Sequence, residues 1–197
     1  MSDTDAVRGS SEGFADIMSQ LDYPMYIVTT RGGEERSGCL VGFTTQTGID
    51  PARFLVAISN KNHTFRVAQD AEYLAVHVLS PENRSISELF GEQTGDEIDK
   101  FAQCSWSEGP HGLPILDGAA GWFVGRVLDR FDLGDHSGFL LDPEEGELRE
   151  NLDTLLTFRD VSDMEAGHGG AGHPVGQGDA QALALVRAQP ARSRACI

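Results

Sequence analysis

Basic side chains are scarce in this 197-residue chain, where 15 Lys and Arg stand against 31 Asp and Glu for a formal net charge of −16. A surface this acidic repels a polyphosphate backbone and an anionic bilayer alike, so neither nucleic acid nor a membrane surface is expected as a partner. Cysteine is equally thin. Cys39, Cys104 and Cys196 are odd in number and form no Cys-x-x-Cys pair, which argues against a disulfide framework and against zinc, and they read as reduced thiols. No apolar run approaches the roughly 20 residues that a spanning helix needs. Residues 1–13 are acidic and polar, with no basic stretch leading into an apolar one, so no signal peptide is expected and a cytoplasmic location is read by default. A βαβ rhythm is also missing, which disfavours a doubly wound parallel sheet.

What is present suffices for one domain. The hydrophobic fraction of 40% can build a single substantial core in a chain of this length. Phe14, Ile17, Met18 and Leu21 follow the i, i+3, i+4, i+7 stripe of an amphipathic helix, with Ser10 or Ser11 as a cap and Pro24 beyond its end. Strands are expected at Met25 to Thr30 and Arg36 to Thr45, joined as a hairpin, and again at Phe54 to Ser59, Tyr73 to Leu79, Ala119 to Phe131 and Ser137 to Leu141. Of these, Ala119 to Phe131 reads as the longest. Leu155 to Val161 is a candidate final strand. Short helical turns fit Thr64 to Gln69, Asp96 to Phe101 and Arg84 to Phe90, the last opened by a capping box at Ser85-x-x-Glu88. The class expected is mainly β, a split, antiparallel, Greek-key-like barrel with a few peripheral helices, over residues 14–163. Residues 164–197 are rich in Gly and Ala and read as a disordered tail, and residues 1–13 as a flexible acidic one. His168 and His173 in that tail lack the packed surroundings of a metal site, so no metal is expected.

Two polar clusters interrupt the apolar strands. The strand from Gly38 turns abruptly into Thr44, Thr45 and Thr47, and the next ends in Ser59-Asn60-Lys61-Asn62-His63-Thr64. Hydroxyls and backbone amides at strand ends can converge on a phosphate or a polyol, or they can be ordinary turn and cap residues. Lys61 favours the first reading, because it is one of few cations and stands where a phosphate needs one. His136, in Gly134-Asp135-His136, is either held in one tautomer by its neighbour and presented to a ligand, or is a solvated turn residue. His63, His77 and His111 make weaker cases. The aromatics Phe43, Phe65, Phe90, Trp106 and Trp122 could stack on a ring but are more often core.

Taken in order, Gly38 to Pro51, Phe54 to Thr64, Ala75 to Ser80, Leu89-Phe90-Gly91, Gly112 to Ala119 and Gly134-Asp135-His136 resemble the flavin reductase-like proteins of the FMN-binding split-barrel superfamily. That resemblance implies a homodimeric flavoprotein binding FMN or FAD, passing hydride from NADH or NADPH to the flavin and supplying a partner monooxygenase. It places the ring and ribityl chain against Val41, Gly42, Phe43, Thr44 and Thr45. The phosphate falls near Ser59, Asn60, Lys61 and Thr64, with Phe90 closing the pocket and His136 near the nicotinamide. Threonines stand where members usually have serines, and Ala52 where they have a second proline. A flavin-binding or deazaflavin-binding electron carrier without a nicotinamide site of its own would share the same pattern.

Overall fold

The computed structural model describes residues 13–167. Residues 13–20 form a helix (α1), which falls in a separate compact unit from the one that begins at Tyr23. The expected caps Ser10 and Ser11, and the tail histidines His168 and His173, lie outside the described residues.

Tyr26–Gly32 (β1) and Glu35–Val41 (β2) pair in register from Tyr26 with Val41 to Gly32 with Glu35. Their two-residue loop opens on Gly33 at φ +62°, a left-handed backbone that glycine adopts without strain. Thr44–Ile49 (β3) and Ala52–Ser59 (β4) form a second hairpin. His63–Ala68 (α2) leads to Tyr73–Val78 (β5), and Arg84–Glu92 (α3) is followed by the small hairpin Trp106–Glu108 (β6) and Pro114–Leu116 (β7). Gly121–Asp132 (β8) and His136–Leu148 (β9) complete a seven-stranded antiparallel sheet ordered β2-β1-β5-β8-β9-β4-β3.

The sheet curls until its two ends meet. Cys39 and Val41 from β2 share one core with Val56 and Ile58 from β4, although four strands separate them in the hydrogen-bonded order. The corner at Gly42-Phe43 makes the crossing, since the Phe43 carbonyl accepts a hydrogen bond from the Ala57 N–H at 2.8 Å. This is the split barrel expected from the strand-rich sequence. A second core, built on Ile27, Leu79, Phe90 and Leu116, lies between the sheet and α3.

Several local expectations change. The strand expected to run unbroken from Arg36 to Thr45 stops at Val41 and restarts at Thr44, because the corner must leave one edge and join the other. Strand β9, not β8, is the longest, and it runs past Leu141 to Leu148. Ser85 lies inside α3, whose N-cap is Asn83; the capping box sits one turn earlier, at Ser80 and Asn83. Leu155 to Val161 is no strand. It touches Pro24 through one bridge at Thr157 and then forms the 3-10 turn Phe158–Val161.

Close packing of β2 on α3 gives a stability prediction. A Cβ added at Gly38 would lie 2.7 Å from Phe90 Cε1 and 3.0 Å from the Val28 carbonyl oxygen. Gly38→Ala therefore overpacks the core and is expected to cost about 1–3 kcal/mol. Thermal melting checks this, and an unchanged midpoint would show that Phe90 gives way freely.

Candidate functional site

The ends of β4 and β9 meet at the two polar clusters. Ser59 and His136 are directly paired residues of these strands. Beyond them the Asn60 N–H donates to the Asp135 carbonyl at 2.9 Å, Asn60 Nδ2 donates to the Gly134 carbonyl at 2.9 Å, and the Ser137 hydroxyl donates to Asn60 Oδ1 at 2.8 Å. The strand end from Ser59 and the Gly-Asp-His turn are thus one rigid assembly, clipped by Asn60. Gly134, at φ +93°, allows the turn. His136 Nδ1 lies 2.8 Å from Asp135 Oδ1, and the imidazole holds that carboxyl below the usual carboxylate range, with a smaller contribution from Lys61. The contact also orients the ring.

A cleft of about 150 Å³ opens beside this assembly. Its floor is the apolar end of β2 and β4, including Leu40, Val41 and Ile58, and its rim carries Ser59, Asn62 and His136. Gly42 and Phe43 form the corner. The Phe43 ring stands 5.1 Å from that of His136 and is 54% exposed. Tyr23, Met25 and Phe158 make the remaining wall. Buried Cys39 also faces the cleft, and burial pushes its thiol up to about 11, so it is a packing residue rather than a nucleophile.

Of the residues expected at a flavin, Val41, Gly42, Phe43, Ser59 and His136 come together here. Lys61 and Asn60 stand exposed on the adjoining turn, and Thr44 and Thr45 lie on β3, with the Thr45 hydroxyl turned to the Gln46 carbonyl. Thr64 and Phe90 are not on the wall. Thr64 is 1% exposed, its hydroxyl 2.9 Å from that of Ser37, because it belongs to the inward face of α2 with Val67 and Ala68. The cap of that helix is Asn62, whose side-chain oxygen accepts from the Thr64 N–H at 3.0 Å. Phe90 is 1% exposed in the second core, edge-on to Phe101, with Lys100 Nζ 5.3 Å above its ring. Lys100 itself is spent on the Gly38 and Phe90 carbonyls, each at 3.1 Å.

The other described histidines, His63, His77 and His111, are engaged in structural contacts. His63 bridges Glu35 and Asp96, His111 stacks on Tyr73 with ring centroids 3.6 Å apart, and His77 lies fully buried between strands. A larger hollow of about 730 Å³ opens at the opposite end of β1, but Glu35, Asp70 and Glu72 line it beside Arg31 and Arg66. The stacked Tyr73 and His111 rings also line this hollow, but it holds none of the residues expected at a flavin. Tyr23 and Phe158 had no local signal in the sequence, since each reaches the cleft only through tertiary pairing.

The cleft thus combines an apolar floor, an aromatic side and a polar rim of Ser59, Asn62 and His136, with Lys61 on the turn beside it, the mix of surfaces that small-molecule sites present. The flavin reductase like domain family model matches residues 18–164. The chain belongs to this family. Among relatives, the reductase component of the flavin-dependent trigonelline monooxygenase of Acinetobacter baylyi is 29% identical over 141 residues, which cover 70% of this chain and 43% of that protein. The FMN reductase (NADH) RutF of Stutzerimonas stutzeri is 28% identical over 147 residues, 75% of this chain and 84% of its own. The FMN-binding protein of Thermus thermophilus superposes with a TM-score of 0.63 at 26% identity, covering 68% of this chain and 74% of that one. The chain spans less than half of the Acinetobacter relative and most of the other two.

Proposed function

We propose that this protein is an NAD(P)H-dependent flavin reductase that passes hydride from the nicotinamide to FMN or FAD and supplies reduced flavin to a partner monooxygenase. The observation that carries this reading is the meeting of the Val41 to Phe43 corner, Ser59 and His136 around one cleft, in a chain of the flavin reductase family. A relative named as an NADH-dependent FMN reductase, and another named as a monooxygenase reductase component, support it.

In this reading the floor of β2 and β4 seats the flavin ring, and the Ser59 to Asn62 turn with Lys61 receives the phosphate. The flavin, when bound, supplies the hydride chemistry. The protein's part is placement and electrostatics. His136, fixed by Asp135, faces the cleft beside Phe43 and orients the nicotinamide. A cleft of about 150 Å³ is below the ~300 Å³ at which ligand pockets usually begin, which supports a homodimer whose second subunit completes the wall. Exposed Phe43 and Leu133, the latter leaning over Gly138 beside Leu55, offer apolar surface for that contact.

The test supplies purified protein with NADH or NADPH and with FMN or FAD. Flavin-dependent nicotinamide oxidation is expected, and its absence with every pairing rules the activity out. A second reading, a flavin-binding or deazaflavin-binding electron carrier, is favoured by the likeness to a protein named only for FMN binding. A carrier would keep its chromophore through gel filtration and be indifferent to His136→Ala.

A further inference from the structure

Residues 155–161 leave the end of the barrel and return as a strap across its opening strand. The Leu156 carbonyl accepts from the Met25 N–H at 2.8 Å, the Leu156 N–H donates to the Leu79 carbonyl at 2.9 Å, and the Phe158 N–H donates to the Tyr23 carbonyl at 2.9 Å. Leu156 and Val161, at 1% and 5% exposure, anchor the strap in the second core. On its other side Arg84 of α3 holds the strap, donating to the Asp160 carbonyl and to both carboxylate oxygens of Asp163 at 2.9 Å. Phe158 is therefore fixed from both ends by backbone pairing and by core packing.

Its ring packs against the second core but is only half-buried. It lies nearly flat on Tyr23, with centroids 5.0 Å apart and planes at 17°, and both rings remain partly exposed along the cleft. Tyr23 continues the wall towards Phe43, whose ring centroid is 6.4 Å away. The corner has been kept clear for this arrangement, since a Cβ at Gly42 would come within 2.6 Å of Tyr23 Cε2 and 3.0 Å of Met25 Sδ. His136 bounds the other side of the same corner, 5.1 Å from Phe43. The polar rim comes from other segments, Ser59 at the end of β4 and Asn62 at the cap of α2.

We infer that Phe158, backed by Tyr23, is a binding residue for the ring system of the flavin, acting independently of the residues that receive the phosphate. This rests on the flavin reductase reading above and assigns to the strap a role in that site. An aromatic face held rigid in advance loses little freedom on binding and offers a conjugated ring a stacking surface.

The experiment compares FMN with riboflavin, which has the same ring and no phosphate, by flavin fluorescence titration of the full chain. Phe158→Ala is expected to raise both Kd values about tenfold, leaving their ratio unchanged, because a lost aromatic contact of up to ~1.5 kcal/mol corresponds to that factor. Lys61→Ala is expected to weaken FMN and spare riboflavin. Phe158→Leu keeps apolar volume for the strap and carries the same comparison if the alanine variant melts at a lower temperature. Kd values within twofold of wild type in a folded Phe158 variant, or a loss confined to FMN, would overturn the inference while leaving the reductase reading intact. Wild-type protein that binds neither flavin and oxidises no nicotinamide would instead remove the reading on which it rests.

Discussion

Replacing His77 by leucine is expected to lower the melting temperature by roughly 10 °C and to flatten the dependence of stability on pH between 7 and 5. His77 sits in the middle of the sheet on β5, fully buried, with Nδ1 3.0 Å from the carbonyl of its cross-strand partner Ile27. Its Nε2 accepts from the Leu116 N–H at 3.1 Å, while the Leu116 carbonyl accepts from Arg149 at 3.0 Å. The bonding fixes the tautomer. Because Nε2 must accept, the proton is on Nδ1 and the ring is neutral. Leucine leaves a buried N–H and a buried carbonyl without this partner, at about 1–3 kcal/mol each, and a domain of this size loses about 2–4 °C per kcal/mol.

Burial, with Arg149 nearby, lowers the His77 pKa from its ordinary 6.5 to about 4. The unfolded chain therefore binds a proton at a higher pH than the folded one. Stability from this group is complete above about pH 6.5 and is lost as the pH falls towards 4, by about 3 kcal/mol in all. Urea unfolding of wild type and His77→Leu at pH 7, 6 and 5 measures it. Parallel slopes in the two proteins would show that the histidine is not the group responsible.

The second large effect concerns turnover. His136→Ala is expected to reduce kcat/KM for the nicotinamide about a hundredfold, the scale of losing a group that positions a reactant, while the flavin Kd moves less than threefold. The split follows from position. His136 is held by Asp135 at the edge of the cleft, whereas the floor of β2 and β4 and the Lys61 turn are untouched by its removal. Asp135→Asn, which keeps the turn but weakens the hold on the ring, should give an intermediate loss with the same split. Equal losses in flavin binding and turnover would make His136 a flavin-binding residue instead.

How much of this was legible beforehand differs by residue. Ser59 and His136 end two apolar runs in abrupt polar strings, which local pattern left open between ligand contacts and ordinary turn residues, and it is the pairing of β4 with β9 that brings the two side by side at the cleft. Thr64 belongs to an equally polar string, but helical periodicity turns it inward with Val67 and Ala68, where Ser37 takes its hydroxyl. Phe90 matched the family's order and still packs into the second core against Gly38. Tyr23 and Phe158 lie far apart along the chain, and their stacking depends on backbone bonds between segments that share no local signal.

Composition and alternation alone determined a β-rich domain and most of its strands, because strand propensity and turn chemistry act over a few neighbouring residues, while the family was carried by the ordered motifs from Gly38 to His136 and by the match over residues 18–164. The tertiary structure decided which of the polar and aromatic side chains reach the cleft. That choice depends on how far the sheet curls and where the strap crosses it, and both are set by packing between segments that lie far apart in the chain.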